Sequence, residues 1–465
     1  MSAALEIEDL TISAGATTLV RDIGLSVRPG HPVTILGETG SGKTLVVEAA
    51  MGTLAPELTA SGRIALEGRS SDANDRAARR AGWGRRIAML PQEPWLSLDP
   101  TMRAAPQVAE GHRYVRGLAP GEAWQRAGQD LAALGLADAG RRYPHQLSGG
   151  MAQRVAFASA RAGGAPLTLA DEPTKGLDAA MRDTVVALLR QALLAGGSLL
   201  CITHDIAVSR ALGGEVIVML AGEIVERGPA ERVLTAPAHD YTRRLLAAEP
   251  EAWPDTSFQR PGEPVIEAEA LAVERGGRRL FEALSLSVGA GEWVAVTGPS
   301  GCGKTTLGNV LLQLAKPAAG FVRRRSGVAR TRYQKLYQDP VATFAPRRTL
   351  REALAETAAL YQAPWARVTD TLARLRIAEA LLDRRPDQVS GGELQRIAVA
   401  RALLPDPLFL FADEPTSRLD PMTQRETMDV LREISAERGA AVLLVTHDTA
   451  MAGKVAPRKI VLGTG

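Results

Sequence analysis

Apolar residues fall in short runs separated by longer amphipathic stretches, and this pattern occurs twice along the chain in the same order. Residues 32–36 and 293–297 are apolar runs halted by glycine, which predicts a buried strand, a tight turn and then a helix. Further strand-like runs end at Asp171 and Asp413, and another pair ends one threonine before His204 and His447. Between Gln92 and Ser148, and again between Gln338 and Ser390, strand signals give way to helical patterns rich in alanine, leucine and arginine. Alternating strands and helices predict an α/β fold with a mostly parallel sheet, helices on both faces and a helical subdomain in each half. The halves are expected at 1–248 and 265–465. Residues 249–264, rich in proline and charge, read as a short exposed linker.

Each early apolar run leads into the same kind of loop, GETGSGKT at 37–44 and GPSGCGKT at 298–305. Both fit G-x-x-x-x-G-K-[ST] between a strand and a helix, the context in which that spacing binds phosphate. Gly37, Gly40 and Gly42, like Gly298, Gly301 and Gly303, let backbone N–H groups approach phosphate oxygens at a helix N-terminus. Lys43 and Lys304 would reach the outer phosphates. The hydroxyls of Thr44 and Thr305 would ligate magnesium.

Downstream the two halves carry matching motifs: Gln92 and Gln338 before Asp-Pro or Glu-Pro segments, SGG at Ser148-Gly149-Gly150 and Ser390-Gly391-Gly392, and Asp-Glu-Pro at Asp171-Glu172 and Asp413-Glu414. Turns ending at Asp178 and Asp420 follow, then Thr-His-Asp around His204 and His447. Serine and aspartate are 23 residues apart in both halves, Ser148 to Asp171 and Ser390 to Asp413. This set resembles the ATP-binding cassette ATPases over nearly the whole chain, as two tandem nucleotide-binding domains. LSGG is its most specific element.

The resemblance implies ATP and Mg2+ as cofactors, with metal ligation by Thr44, Gln92 and Asp171 and by Thr305, Gln338 and Asp413. Glu172 and Glu414 fit the carboxylate that activates or positions water, and His204 and His447 fit the switch histidine on the γ-phosphate. In the family the signature serine of one cassette caps ATP held by the other. One composite site would then join Lys43, Gln92, Asp171, Glu172 and His204 to Ser390, Gly391 and Gly392. Its counterpart would join Lys304, Gln338, Asp413, Glu414 and His447 to Ser148, Gly149 and Gly150. Both are expected to hydrolyse ATP. The chain departs from the family at the adenine: no aromatic residue precedes Gly37, and Phe281 and Trp293 lie too close to Gly298 and read as core, which leaves Arg275 for stacking. His31, His112, His145 and His239 read as structural or surface residues.

Composition narrows the classes. A chain of 465 residues, 45% hydrophobic and 23% charged, is long enough for two cored domains. Basic and acidic residues nearly balance, 55 against 52, which argues against a dominant nucleic-acid footprint. No run of about 18 apolar residues marks a membrane span, and the acidic start does not resemble a signal peptide, so a cytosolic protein is expected. The two cysteines, Cys201 and Cys302, form no disulfide framework and cannot build a four-thiolate zinc site of the kind a DNA-repair cassette protein carries.

YPHQLSGGM at 143–151, the Asp-Pro segments and HDYTRRLLAAEP at 239–250 resemble the ATPase subunits of oligopeptide, dipeptide, nickel and metal-chelate importers. Asp240 departs from the usual HPYT. The tail has no cysteine, so the iron–sulfur centre of some members is not expected, and the second half lacks the tail. The implied partners are integral membrane permease subunits and a separate substrate-binding protein, with the chain at the inner face of the cell membrane. The alternative is a soluble cassette protein acting on the ribosome or translation, against which the short linker speaks.

Overall fold

The computed structural model describes residues 3–463 apart from 91–96, 176, 178, 256–259, 300 and 418, with backbone only at 179, 180 and 278. Gln92, Asp178 and Trp95 therefore lie outside the described residues. The chain divides into two compact units, Met1–Leu246 and Ala247–Gly465. Among the described residues no helix is long and apolar enough to cross a membrane.

In the first unit a six-stranded sheet runs Glu223–Pro229, Glu215–Leu220, Val33–Leu36, Ser198–Thr203, Leu167–Asp171, Ile87–Leu90. All neighbours are parallel except the first pair. Val33–Leu36, Leu167–Asp171 and Ser198–Thr203 are buried at every position, which is why their sequences are continuous apolar runs rather than alternating ones. The second unit repeats the order in five parallel strands, Tyr333–Leu336, Phe409–Asp413, Ala441–Val445, Trp293–Thr297, Arg458–Val461. The α/β expectation with a mostly parallel sheet holds in both units.

Each unit also has an antiparallel sheet that the sequence pattern did not reveal. It is Thr17–Val27, Leu5–Ala14, Leu58–Leu66, Arg69–Asp72 in the first unit and Arg278–Gly289, Pro264–Arg275, Ala319–Arg324 in the second. In its leading strand Leu5 and Ile7 are buried, then Leu10 and Ile12, three rather than two residues on. Asp9 and Asp22 take φ of 52° and 51°, at register shifts that put an extra residue into each strand. Ala270 and Ala283 do the same in the second unit. The bulges return the apolar set to the core face but break the period of two by which a strand is read.

Inward residues of both first-unit sheets share one apolar cluster with Val46, Val47, Ala49 and Ala50 of the helix Lys43–Met51. The helix after the phosphate loop is thus clamped between two sheets. Helices Ala104–Glu110, Pro120–Ala133 and Gly149–Ala162 form a separate small core. His112 is buried there with Nε2 2.7 Å from Asp130 Oδ2, a structural role. In the second unit, Leu350–Leu360, Trp365–Arg374 and Gly391–Leu403 are the matching helices.

Trp253 departs from the exposed-linker expectation. Its indole N–H donates to Ala248 O at 2.8 Å, and its ring is buried in the second unit's core cluster, which includes Met451 and Val455. Residues 254–255 and 260–264 are exposed.

Packing beneath the second phosphate loop uses a size exchange. A Cβ on Gly308, in the helix Lys304–Leu311, would lie 2.1 Å from Phe411 Cζ, so the glycine is what lets the helix sit against the strand Phe409–Asp413. Counting from the lysine and from the aspartate, the first unit has Val47 and Leu169 at these places, both buried in one cluster. Gly308→Val is therefore expected to destabilise the second unit by about 1–3 kcal/mol through overpacking, and Phe411→Leu in the same chain to restore most of it. Urea unfolding midpoints of the two variants check this; equal loss in the single and double variants would sink the argument.

Candidate functional site

Both phosphate loops leave an inner strand of their sheet and enter a helix whose N-cap is a glycine in the left-handed region, Gly42 at φ 94° and Gly303 at φ 105°. Gly37 and Gly298 lie so near a neighbouring strand that a Cβ would come 2.4 Å from Met219 O or Leu462 O. The Gly222 N–H straps the first loop by donating to Ser41 O at 3.1 Å.

The two lysines are buried, and the loop itself supplies their partners. Lys43 Nζ donates to Gly37 O and Glu38 O, both at 2.8 Å, and to Ser41 Oγ at 3.4 Å. Lys304 Nζ donates to Gly298 O at 2.8 Å and Pro299 O at 2.9 Å. A buried ammonium without oxygen partners would be costly, so these carbonyls fix where the charge sits. Thr44 and Thr305, next in line, are exposed.

The acidic pairs stand at the carboxyl ends of strands Leu167–Asp171 and Phe409–Asp413. Glu172 and Glu414 both take left-handed backbone, φ 47° and 49°, and their N–H groups donate to Ile202 O at 2.8 Å and Val445 O at 3.0 Å. The strained backbone recurs at equivalent positions of the two units, and here it falls on the second member of each acidic pair.

Around Glu172 the partners are close. Its Oε1 is 2.8 Å from His204 Nδ1, and its Oε2 accepts from Thr203 Oγ1 at 3.2 Å and the His204 N–H at 3.3 Å. Burial pushes the Glu172 carboxyl up, but His204, Lys43 and Lys175 outweigh it and hold it below the ordinary range. Burial pulls His204 down, and Glu172 overrides this and raises it. Each partner thus favours the charged form of the other. Around Glu414 the grip differs: Gln338 Nε2 donates to Oε2 at 2.9 Å, while His447 Nδ1 stands 3.6 Å from Oε1, an ion-pair separation. Here too the carboxyl lies below and the histidine above their ordinary values, against the pull of burial.

Asp171 is pushed up to about 6, first by burial and then by the Glu172 charge, and its Oδ1 is buried without a hydrogen-bond partner among the described residues. Burial raises Asp413 as well, against a hydrogen bond from the Thr305 hydroxyl and the charge of Lys335. Oxygen donors alone, a carboxylate with an unused oxygen and a threonine hydroxyl beside a phosphate loop, fit magnesium, which keeps waters and takes few protein ligands. No group of three or more His, Cys, Asp or Glu suited to a metal occurs among the described residues.

Ser148 and Ser390 each cap a signature helix, Gly149–Ala162 and Gly391–Leu403. Ser148 Oγ accepts from the Met151 N–H at 3.3 Å; Ser390 Oγ accepts from the Glu393 N–H at 3.2 Å and donates to the Glu393 carboxylate at 2.8 Å. Gly149 and Gly391 are exposed, Gly150 buried and Gly392 half-buried. Gln153 Nε2 donates to Pro173 O and so ties the signature helix to the Asp-Glu-Pro turn of its own unit. Asp420 caps the helix Pro421–Arg438. Trp293 is a core residue, as expected, and Phe281 packs half-buried against the core, while Arg275, the residue left for stacking, is exposed at a hairpin end. Cys201, wholly buried with its thiol pushed well up, and the half-buried Cys302 are both free. Thr203 was missed, although the Thr-His-Asp repeat carries it.

Two tandem phosphate-loop nucleotide-binding domains are the class this fold and site define. A family model described as ABC transporter matches residues 20–175 and 281–417, and the chain belongs to that family. The chain is an ATPase that binds ATP. It is 34% identical to the peptidoglycan transport ATP-binding protein YejF of Agrobacterium fabrum, over 99% of this chain and 91% of that one. It is 31% identical to the glutathione import ATP-binding protein GsiA of Escherichia coli K12, over 96% of this chain and 82% of that one. Among solved structures, RNase-L Inhibitor superposes with TM-score 0.68 at 22% identity, covering 98% of this chain and 87% of that one. Archaeal aABCE1, in complex with ribosomal stalk protein aP1, does so with TM-score 0.69 at 23% identity, with the same coverage. These two likenesses concern the fold.

Glu172→Gln and Glu414→Gln are each expected to keep ATP binding and lower turnover at the altered site on the order of a hundredfold or more, since an oriented carboxylate is lost and its geometry kept. Steady-state ATPase assays beside equilibrium ATP binding test this. Unchanged hydrolysis in the double variant would remove both residues from the chemistry.

Proposed function

We propose that this chain is the ATP-hydrolysing subunit of a membrane importer whose cargo is a small peptide or a peptide-bearing molecule, with nickel and metal chelates as the other cargo of the importers it resembles. The observation that carries this reading is full-length similarity to two-cassette transport proteins, joined to a chain that repeats every phosphate-site residue. The peptide character of the cargo is supported by the relatives' names, which specify peptidoglycan and glutathione. Permease subunits and a separate substrate-binding protein would be its partners, and it would work at the inner face of the cell membrane. The ribosomal alternative has behind it likenesses in fold at 22–23% identity.

In the proposed mechanism Lys43 and Lys304 neutralise charge on the transferring phosphoryl group, while Thr44, Gln92 and Asp171, or Thr305, Gln338 and Asp413, would hold magnesium. Bound there, the ion would supply positive charge to stabilise the negative charge that develops on the phosphate. Glu172 and Glu414, kept ionised by their histidines, orient the attacking water and receive its proton. His204 and His447 reach the γ-phosphate. Each signature serine, with its two glycines, caps the nucleotide of the other unit.

Cross-pairing yields a sharp contrast between two double variants. Lys43→Ala with Ser390→Arg damages a single composite site, so residual ATPase should match Lys43→Ala alone, whereas Lys43→Ala with Ser148→Arg should abolish activity. The reverse ranking, measured once Lys43→Ala has been found active, would favour self-contained units.

Docking to the permease is expected through 95–100, of which 95 and 96 lie outside the described residues, and through 341–348. In the latter, Val341 and the arginines are exposed while Phe344 anchors the turn in the core beneath Arg401. The chain should co-purify with integral membrane proteins, and Arg347→Glu with Arg348→Glu should release it and abolish transport. Full association in that variant would clear this surface, and recovery with ribosomal particles instead would favour the alternative.

A further inference from the structure

The two phosphate loops differ at their second residue, Glu38 against Pro299, and the difference is chemical as well as steric. Glu38 has a backbone N–H, and Tyr241 Oη accepts it at 2.9 Å across 203 residues of sequence. Pro299 has none to give. We propose that Tyr241 is a positioning residue of the first nucleotide site: it orients the phosphate loop from the C-terminal segment of that unit, through a contact the second loop cannot make.

The argument turns on one peptide group. Gly37 O and the Glu38 N–H belong to the same planar unit, so gripping both ends fixes its orientation. Lys43 Nζ takes the oxygen end at 2.8 Å and Tyr241 takes the N–H end. The ammonium that must meet phosphate is therefore aimed by a carbonyl whose own plane is held by the tyrosine. Hydrogen bonds at opposite ends of one amide polarise it and reinforce one another.

Tyr241 is itself well anchored. Its side chain is 1% exposed, in the helix Asp240–Ala247. Ahead of that helix Glu226 accepts the N–H groups of Ala238 at 2.7 Å and His239 at 3.1 Å, and His239 Nδ1 accepts the N–H of Tyr241 at 3.1 Å. Glu226 stands on the strand Glu223–Pro229, whose neighbour Glu215–Leu220 pairs with the phosphate-loop strand Val33–Leu36. The hydroxyl thus reaches Glu38 from the same sheet that carries the loop. In the second unit Lys304 grips Gly298 O and Pro299 O alike, and there the proline ring limits the peptide in place of a tyrosine.

The test uses the full chain with Lys304→Ala, so that ATP binding reports the first site, and Tyr241→Phe, which keeps the ring and removes the acceptor. One hydrogen bond corresponds to a loss of about fivefold in ATP affinity. The expected result is a Kd and KM raised about that much with kcat within twofold, and no change in second-site affinity when the same substitution is made in Lys43→Ala. In Glu38→Pro, which lacks the donor, Tyr241→Phe should add nothing. An unchanged first-site Kd, equal weakening at both sites, or a full effect in Glu38→Pro would overturn the proposal. Should the phenylalanine variant fail to fold, hydrogen exchange of the unaltered chain decides: a protected Glu38 amide is required, and a freely exchanging one refutes it. The inference rests on the ATPase reading, whose own failure would show differently, as no saturable ATP binding by the unaltered chain.

Discussion

A buried ammonium that must keep its charge organises each unit. Lys43 and Lys304 are 7% and 8% exposed, and they donate to carbonyls that only a sharply turned backbone can present to them. That turn needs glycine where Gly37 and Gly298 meet a neighbouring strand and where Gly42 and Gly303 enter the left-handed region. It also needs an immobile helix behind it. In the first unit Val46, Val47, Ala49 and Ala50 bury that helix in the cluster shared by two sheets, and in the second Gly308 is left small enough for Phe411. Had the helix room to shift, the loop carbonyls would move and the lysine charge would lose its fixed place.

The parallel sheet then brings acid to the lysine. Adjacent parallel strands end at the same edge, so Asp171 and Glu172 arrive beside the loop, together with Thr203 and His204 from the next strand. A buried carboxylate's pKa is lowered by positive charge and by hydrogen bonds to it, and His204, Lys43 and Lys175 supply these for Glu172. The neighbouring Asp171, also buried and with the Glu172 charge against it, moves the other way to about 6. Two adjacent carboxyl groups are thereby driven apart in acidity, one kept ionised beside a histidine and the other poised for a cation.

What the sequence made legible follows from these constraints. Parallel strands buried on both faces left unbroken apolar runs, and the residues proposed to touch phosphate sit in contiguous loops, so both could be picked out by spacing. The antiparallel sheets were lost because the extra residues at Asp9, Asp22, Ala270 and Ala283 break the alternation that identifies a half-buried strand. Trp253 read as linker because its flanks are polar, although its ring completes a core. Tyr241 was visible as part of a tail motif, but its partner Glu38 lies 203 residues earlier, and no local pattern links them.

The two units keep the same phosphate-site residues and differ in what holds them. Glu172 is secured by His204 and Thr203, Glu414 by Gln338; Ser148 caps a helix beside Met151, whereas Ser390 gives its hydroxyl to Glu393. The peptide after the first loop glycine is limited by a tyrosine in one unit and by a proline in the other. Residues in contact with phosphate have little freedom to change, since charge and geometry are both fixed by the ligand. Their supports have only to deliver a given orientation, and a hydroxyl, an amide or a ring can each do so. A repeated site in one chain can therefore diverge in its supporting groups while keeping its chemistry.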